Sequence, residues 1–139
     1  MIILTFSQPG HKYLFSTGLE SLSWEGCRLE CEVYGGWLVQ IDDLREYNCL
    51  MRHGLGEEDD AWYWTDGNDL ANSGVWTHAL DNTEVSFFPP RVQCECEDSP
   101  TSCSGDALIL NIKSDKEFRG NYCDYPSYKE AHFICEGVI

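Results

Sequence analysis

Residues 23–38 read SWEGCRLECEVYGGWL, and the reading of this stretch decides how the rest of the chain is arranged. Trp24, Cys27, Cys31 and Tyr34 follow one another at steps of three, four and three, which places them on one face of a helix. Ser23 stands just ahead, where its hydroxyl can accept a bond from a free N–H of the first turn. Gly35-Gly36 ends the helix, because glycine takes left-handed backbone at little cost. Two cysteines on the buried face of one helix predict ties to segments distant in sequence.

The chain has 139 residues, the size of one domain, with five Trp, six Phe and seven Tyr to fill a core. Its net charge is −15, from 9 basic and 24 acidic residues. Such a surface repels phosphate backbones and anionic headgroups, which argues against nucleic acid and membrane partners. An acidic balance is ordinary for a solvated surface; its sharper reading is a cation site, and Ca²⁺ takes oxygen ligands. Eight cysteines predict up to four disulfides and a secreted, oxidising setting. Zinc finds no pattern: Cys94 and Cys96 are too close for a knuckle, and His11, His53, His78 and His132 form no short-range pair. No N-x-S/T sequon occurs, and no apolar run approaches the roughly 20 residues of a membrane span. Residues 1–6, MIILTF, are too short for a signal peptide. Met1 is therefore expected either to be an added start or to open a mature domain cut from a longer secreted protein.

Outward from the helix, residues 11–16, HKYLFS, read as a strand with Tyr13 and Phe15 on one face. Residues 39–41 read as a short extended connection. Asp43-x-x-Glu46 is a capping box that starts a second helix, with Leu44, Tyr47 and Met51 as its buried face and Gly54 as its stop. Residues 61–65, AWYWT, predict a central strand. From 66 to 106 no period persists, and an irregular stretch that long belongs in a domain only if it is functional or stapled. Cys94, Cys96 and Cys103 lie within it. Residues 107–112 form an apolar strand, 117–122 a candidate partner, and 131–135 a last strand.

Several motifs together resemble the C-type lectin-like domain, over about residues 10–136. The first helix carries the pattern W-x6-C-x3-G-G-x-L at Trp24, Cys31, Gly35, Gly36 and Leu38. Tyr63, Trp64, Asp69, Gly74 and Trp76 match the family's central strand and the D-x4-G-x-W that follows it. Phe133 to Glu136 match its closing strand. The resemblance implies an α+β fold: two helices flank small antiparallel sheets, the termini lie together, and a long loop, here about 66–106, grows from the central strand. It is similar to secreted lectins of the invertebrate kind. It also implies a bridge from Cys31 to Cys135, closing nearly the whole domain. Cys27 lies outside the family pattern, and Cys49 on the second helix is its nearest unclaimed partner, so Cys27–Cys49 is expected. Cys123 fits one half of the family's second bridge. The other half has three candidates, of which Cys103 is nearest, ahead of Cys94 and Cys96. The last two leave room for an intermolecular bridge, and so for a disulfide-linked or non-covalent homodimer.

Sugar-binding members of the family hold Ca²⁺ with a Glu-Pro-Asn or Gln-Pro-Asp triplet in the long loop and an Asn-Asp pair from a following W-N-D. Ca²⁺ takes six to eight oxygens, some of which sugar hydroxyls can supply. Here the nearest triplet is Pro89-Pro90-Arg91, and the W-N-D position reads Phe118-Arg119-Gly120. The family's auxiliary Ca²⁺ site keeps one match, Asp69; its Glu falls on Ser73. No cofactor is expected, and Ca²⁺ has lost most of its family ligands. Glu95, Glu97, Asp98 and Asp106 offer acids without a ligand spacing.

What remains suggests contact. Arg91 and Arg119 stand where ligands would have been, and guanidinium forks suit carboxylate or sulfate, though they serve equally to neutralise an acidic loop. With Phe87, Phe118 and Asn121 they form the candidate ligand-binding set. Phe88 reads as replacing a core tryptophan of the family. Two functions follow: a secreted module that binds glycans or microbial surface patterns without Ca²⁺, as in innate immunity, or a lectin-like domain that binds a protein through aromatic and arginine anchors. No catalytic arrangement of Ser, His, Cys or paired carboxylates stands out, so an enzyme is not expected.

Overall fold

The computed structural model describes residues 2–4, 11–16, 21–53, 60–72, 75–87, 106–113, 120–125 and 127–138. Strand β1 (Ile2–Leu4) pairs antiparallel with β2 (His11–Phe15), with Ile2 opposite Phe15. Helix α1 (Trp24–Val33), the short strand β3 (Trp37–Leu38) and helix α2 (Leu44–His53) follow. Then come β4 (Asp60–Asn68), β5 (Thr77–His78), β6 (Ala107–Lys113), β7 (Gly120–Tyr125) and β8 (His132–Val138).

These strands form one eight-stranded sheet in the order β1-β2-β8-β4-β6-β7, with β3 on β8 and β5 on β4. Its pairs are antiparallel except β4 with β8, where Tyr63 lies opposite His132 and Trp64 opposite Phe133. The expected antiparallel sheets are present, and this one parallel join unites them. The last strand is central, and it holds β2 on one side and β4 on the other.

The apolar run of β6 has no polar face because both faces are covered. Leu108 and Leu110 enter one core with Tyr13, Phe15, Tyr63 and Ile134, while Ala107 and Ile109 enter a second with Trp24, Trp64 and Phe133. The two indoles of the second core find backbone partners. Trp24 Nε1 donates to Thr65 O at 2.8 Å, and Trp64 Nε1 lies 3.2 Å from both Leu22 O and Lys129 O.

Helix α1 matches its reading at both ends. Ser23 accepts from Gly26 N, and Gly35 has φ 81°. Gly36 is needed for a different reason: a Cβ there would sit 2.3 Å from Glu136 O, where the chain presses onto β8. Cys31 is bridged to Cys135, the tie between first helix and last strand. Tyr34 is a correction. It is the C-cap, 44% exposed, so the buried stripe is Trp24, Cys27 and Cys31.

Cys27–Cys49 is also corrected, since both are free thiols. The Cys27 sulfur points along the last strand's approach, 3.4 Å from Leu22 O and 3.6 Å from Ala131 O, and so is held in the core that contains Cys31. Burial pushes its thiol pKa up to about 12.

On α2 the expected face of Leu44, Tyr47 and Met51 is corrected as well. Leu44 is exposed, Leu50 is buried, Tyr47 packs against the core, and the Met51 side chain lies outside the described residues. The expected partner strand 117–122 sits further on, at Gly120–Tyr125, while 39–41 is the expected connection, following the short strand Trp37–Leu38. Gly54 lies outside the described residues.

Candidate functional site

The long loop leaves the sheet where β4 breaks register with β6, between Trp64 and Asn68. Asp66 lies in that irregular stretch and is buried. Its carboxylate accepts from Gln40 Nε2 and Ala79 N, each at 2.8 Å, and from Leu80 N at 3.3 Å. Its own N–H donates to Val39 O. His78 is buried beside it, with Nδ1 3.6 Å from Oδ2. Burial raises the Asp66 pKa above the usual carboxylate range, against the pull of those donors. The result is a polar knot that ties the connection after β3 to the turn after β5.

The neck of the loop closes nearby. Asp69 N donates to Asp106 O at 3.0 Å, and the Asp106 carboxylate accepts from Ser127 N at 2.6 Å and Ser127 Oγ at 3.0 Å. Part of the described loop is packed onto the core. Val85 is buried, Trp76 packs against the first core, and Phe87 lies tilted on Tyr47 with ring centroids 6.3 Å apart. Phe87 is thus partly buried, with one side against Tyr47 and the first core.

The other candidates separate as follows. Asn121 lies on β7 opposite Asn111 of β6, with its side chain outside the described residues. Arg91, Phe118, Arg119, Phe88, Cys94, Cys96 and Cys103 lie outside the described residues, as does the side chain of Cys123, so the Cys103–Cys123 bridge does too. Asp69 is half-buried at the neck. Among the described residues no group of three or more His, Cys, Asp or Glu is arranged to hold a metal ion.

A second buried acidic knot stands under β2 and β8. Glu136 meets His11 Nδ1 at 2.6 Å and accepts from Gln40 N at 3.1 Å. Glu46 accepts from Tyr13 Oη at 2.5 Å and from Asp42 N at 2.8 Å. The sequence reading missed both knots. The available signal was polar residues set in apolar surroundings: Asp66 directly after the aromatic strand, and Glu136 directly after Cys135.

No family model matches the chain. A perlucin-like protein of Mytilus galloprovincialis is 29% identical over 54% of this chain and 47% of its own length, so the chain spans about half of that relative. Among solved structures, the carbohydrate-recognition domain of the human scavenger receptor C-type lectin superposes with TM-score 0.75 at 21% identity, over 99% of this chain and 96% of that one. The cow CD23 domain, crystallised in the presence of a GlcNAc2Man3 oligosaccharide, gives 0.72 at 18%, over 99% and 93%. This chain has the C-type lectin-like fold. On that fold, α1, β8 and their disulfide are the frame, and the Asp66 knot and the Asp69–Asp106 neck are the base from which the lectin-like loop rises.

Proposed function

We propose that this chain is an extracellular recognition module that binds glycans or microbial surface patterns without the Ca²⁺ chemistry of sugar-binding C-type lectins, and that it is not an enzyme. The observation that carries this reading is the donor set at the two motif positions, one in the long loop and one after it. Pro89-Pro90-Arg91 and Phe118-Arg119-Gly120 supply no side-chain oxygen where the family's Ca²⁺ ligands would stand. The carboxylates at the loop base do not compensate: Asp66 already accepts from three donors, and Asp106 from Ser127. Hard cations need six or more oxygens, so these residues do not fit Ca²⁺. The Cys31–Cys135 bridge supports an oxidising, extracellular setting. Among the described residues no helix is long and apolar enough to cross a membrane.

A second reading, a protein ligand, is favoured by Leu70, Val75 and Leu80, which are exposed on the described part of the loop. A glycan array probed in EDTA separates the two. Retained signal on one glycan class supports the first reading. A blank array moves the protein to the second.

A further inference from the structure

We propose that the cleft between α1, β3 and the turn after β5 is a subsite for one uncharged sugar ring, and that the Ca²⁺-independent glycan contact is made there rather than at the loop tip. This rests on the glycan reading above. The cleft holds about 160 Å³ and is lined by Arg28, Glu32, Trp37, Asp66, Ala79 and Leu80 among others. At roughly 30 Å³ per water that is room for about five waters. It falls well below the ~300 Å³ at which pockets for drug-sized ligands begin. A single pyranose is of this scale; a peptide or a lipid chain is not.

The lining has the two parts that a sugar needs. One wall is apolar, formed by Trp37, Ala79 and Leu80, and suits the C–H face of a ring. Trp37 is held in place by its pairing with Glu136 across β3 and β8, and by an edge contact with the His11 ring at 6.1 Å. The other part is a polar rim on α1. Arg28 donates through Nε and Nη2 to Glu25 and through Nη1 to Glu32 at 2.9 Å. A guanidinium has five N–H groups, so each Nη nitrogen keeps one for a ligand. Glu32 uses one oxygen for Arg28 and has a second that can accept. A donor next to an acceptor, on partly exposed side chains that lose little hydration on contact, matches two adjacent hydroxyls, each of which both gives and takes a hydrogen bond.

Charge and satisfaction exclude the alternatives. Glu25 and Glu32 already neutralise Arg28, and Asp66 lies in the same lining, so an anionic sugar is repelled. Arg28 and an Asp66 carboxylate already filled by backbone and Gln40 donors leave no place for a metal ion. The same Asp66 bonds fix Ala79 and Leu80, so the cleft is formed before any ligand arrives.

The test is an ¹⁵N-resolved titration in EDTA with methyl glycosides of mannose, galactose, glucose and N-acetylglucosamine, on the parent chain and on Arg28→Ala and Glu32→Ala. Both side chains are partly exposed, so the variants are expected to fold, and circular dichroism checks this. At least one glycoside is expected to give saturable shifts at the Trp37 indole N–H and at the amides of residues 36–38, 79 and 80. Each variant is expected to weaken that binding by about tenfold or more, the loss of a charge-assisted hydrogen bond. Saturable binding with shifts elsewhere, undiminished in both variants, overturns this site and leaves the glycan reading standing. No binding of any of the four, together with a blank glycan array, overturns both.

Discussion

Replacing Glu46 by Gln should flatten the dependence of stability on pH between about 5 and 8. Glu46 is 1% exposed, its carboxyl receiving Tyr13 Oη and Asp42 N. Burial is the largest influence on it, outweighing those two donors, and Glu136 and Asp42 add like charge. The pKa rises from 4.5 to about 7. A folded-state pKa above the unfolded one means that the native protein binds the proton more tightly. The stability this contributes is complete below pH ~4.5 and is lost as pH climbs through 7. A shift of that size, at 1.36 kcal/mol per unit, corresponds to about 3 kcal/mol. Glutamine imitates the protonated acid, keeps a group for each neighbour, and has no charge to bury. Urea unfolding at a series of pH values from 5 to 8.5 would measure it. The parent chain should lose about 2.5 kcal/mol more than Glu46→Gln across that range, the rest of the shift being expressed below pH 5. Asp66, Glu136 and Asp42, also raised by burial, leave a residual slope of the same sign in both. Equal slopes in the two proteins would refute the reasoning, because Glu46 would then have to be solvated or fully compensated.

Three further outcomes follow from the frame. Replacing both Cys31 and Cys135 by Ser opens a loop with sequence separation 104, and chain entropy puts the loss near 4–5 kcal/mol, read as a lower urea midpoint. Gly36→Ala drives a methyl group into Glu136 O and should cost about 1–3 kcal/mol, seen as a lower Tm, with the α1–β8 contact as the site of amide shifts. Cys27, buried with a thiol pKa of about 12, should react with a thiol reagent only on unfolding, while half-buried Cys49 reacts in the native protein; non-reducing peptide mapping should find no Cys27–Cys49 bridge.

The frame was legible because its signals are local or spaced by a helix period. Ser23, the tryptophan and cysteine stripe and Gly35-Gly36 each carry their own physical reason, and each holds in the structure apart from Tyr34, which falls one step past the last turn. The face of α2 is less legible, because a capping box explains Glu46 without burial. It caps and is also buried, turned inward by Tyr13, a residue 33 positions away. Long-range polar pairing of this kind leaves no periodic trace. The same holds for the loop base. Gln40, Asp66 and His78 converge from three segments, and only the place of Asp66 after an aromatic strand hints at it. The packing of Phe87 on Tyr47 is another contact between distant segments that the sequence does not signal.

The account stands most directly on whether glycan recognition needs calcium. One preparation, applied to paired glycan arrays in excess Ca²⁺ and in EDTA, measures this. Binding to at least one glycan class with equal intensity on both is expected. Binding in Ca²⁺ that vanishes in EDTA would contradict it, since an intact oxygen-ligand site would then exist on a loop whose motif positions carry proline, arginine, phenylalanine and glycine.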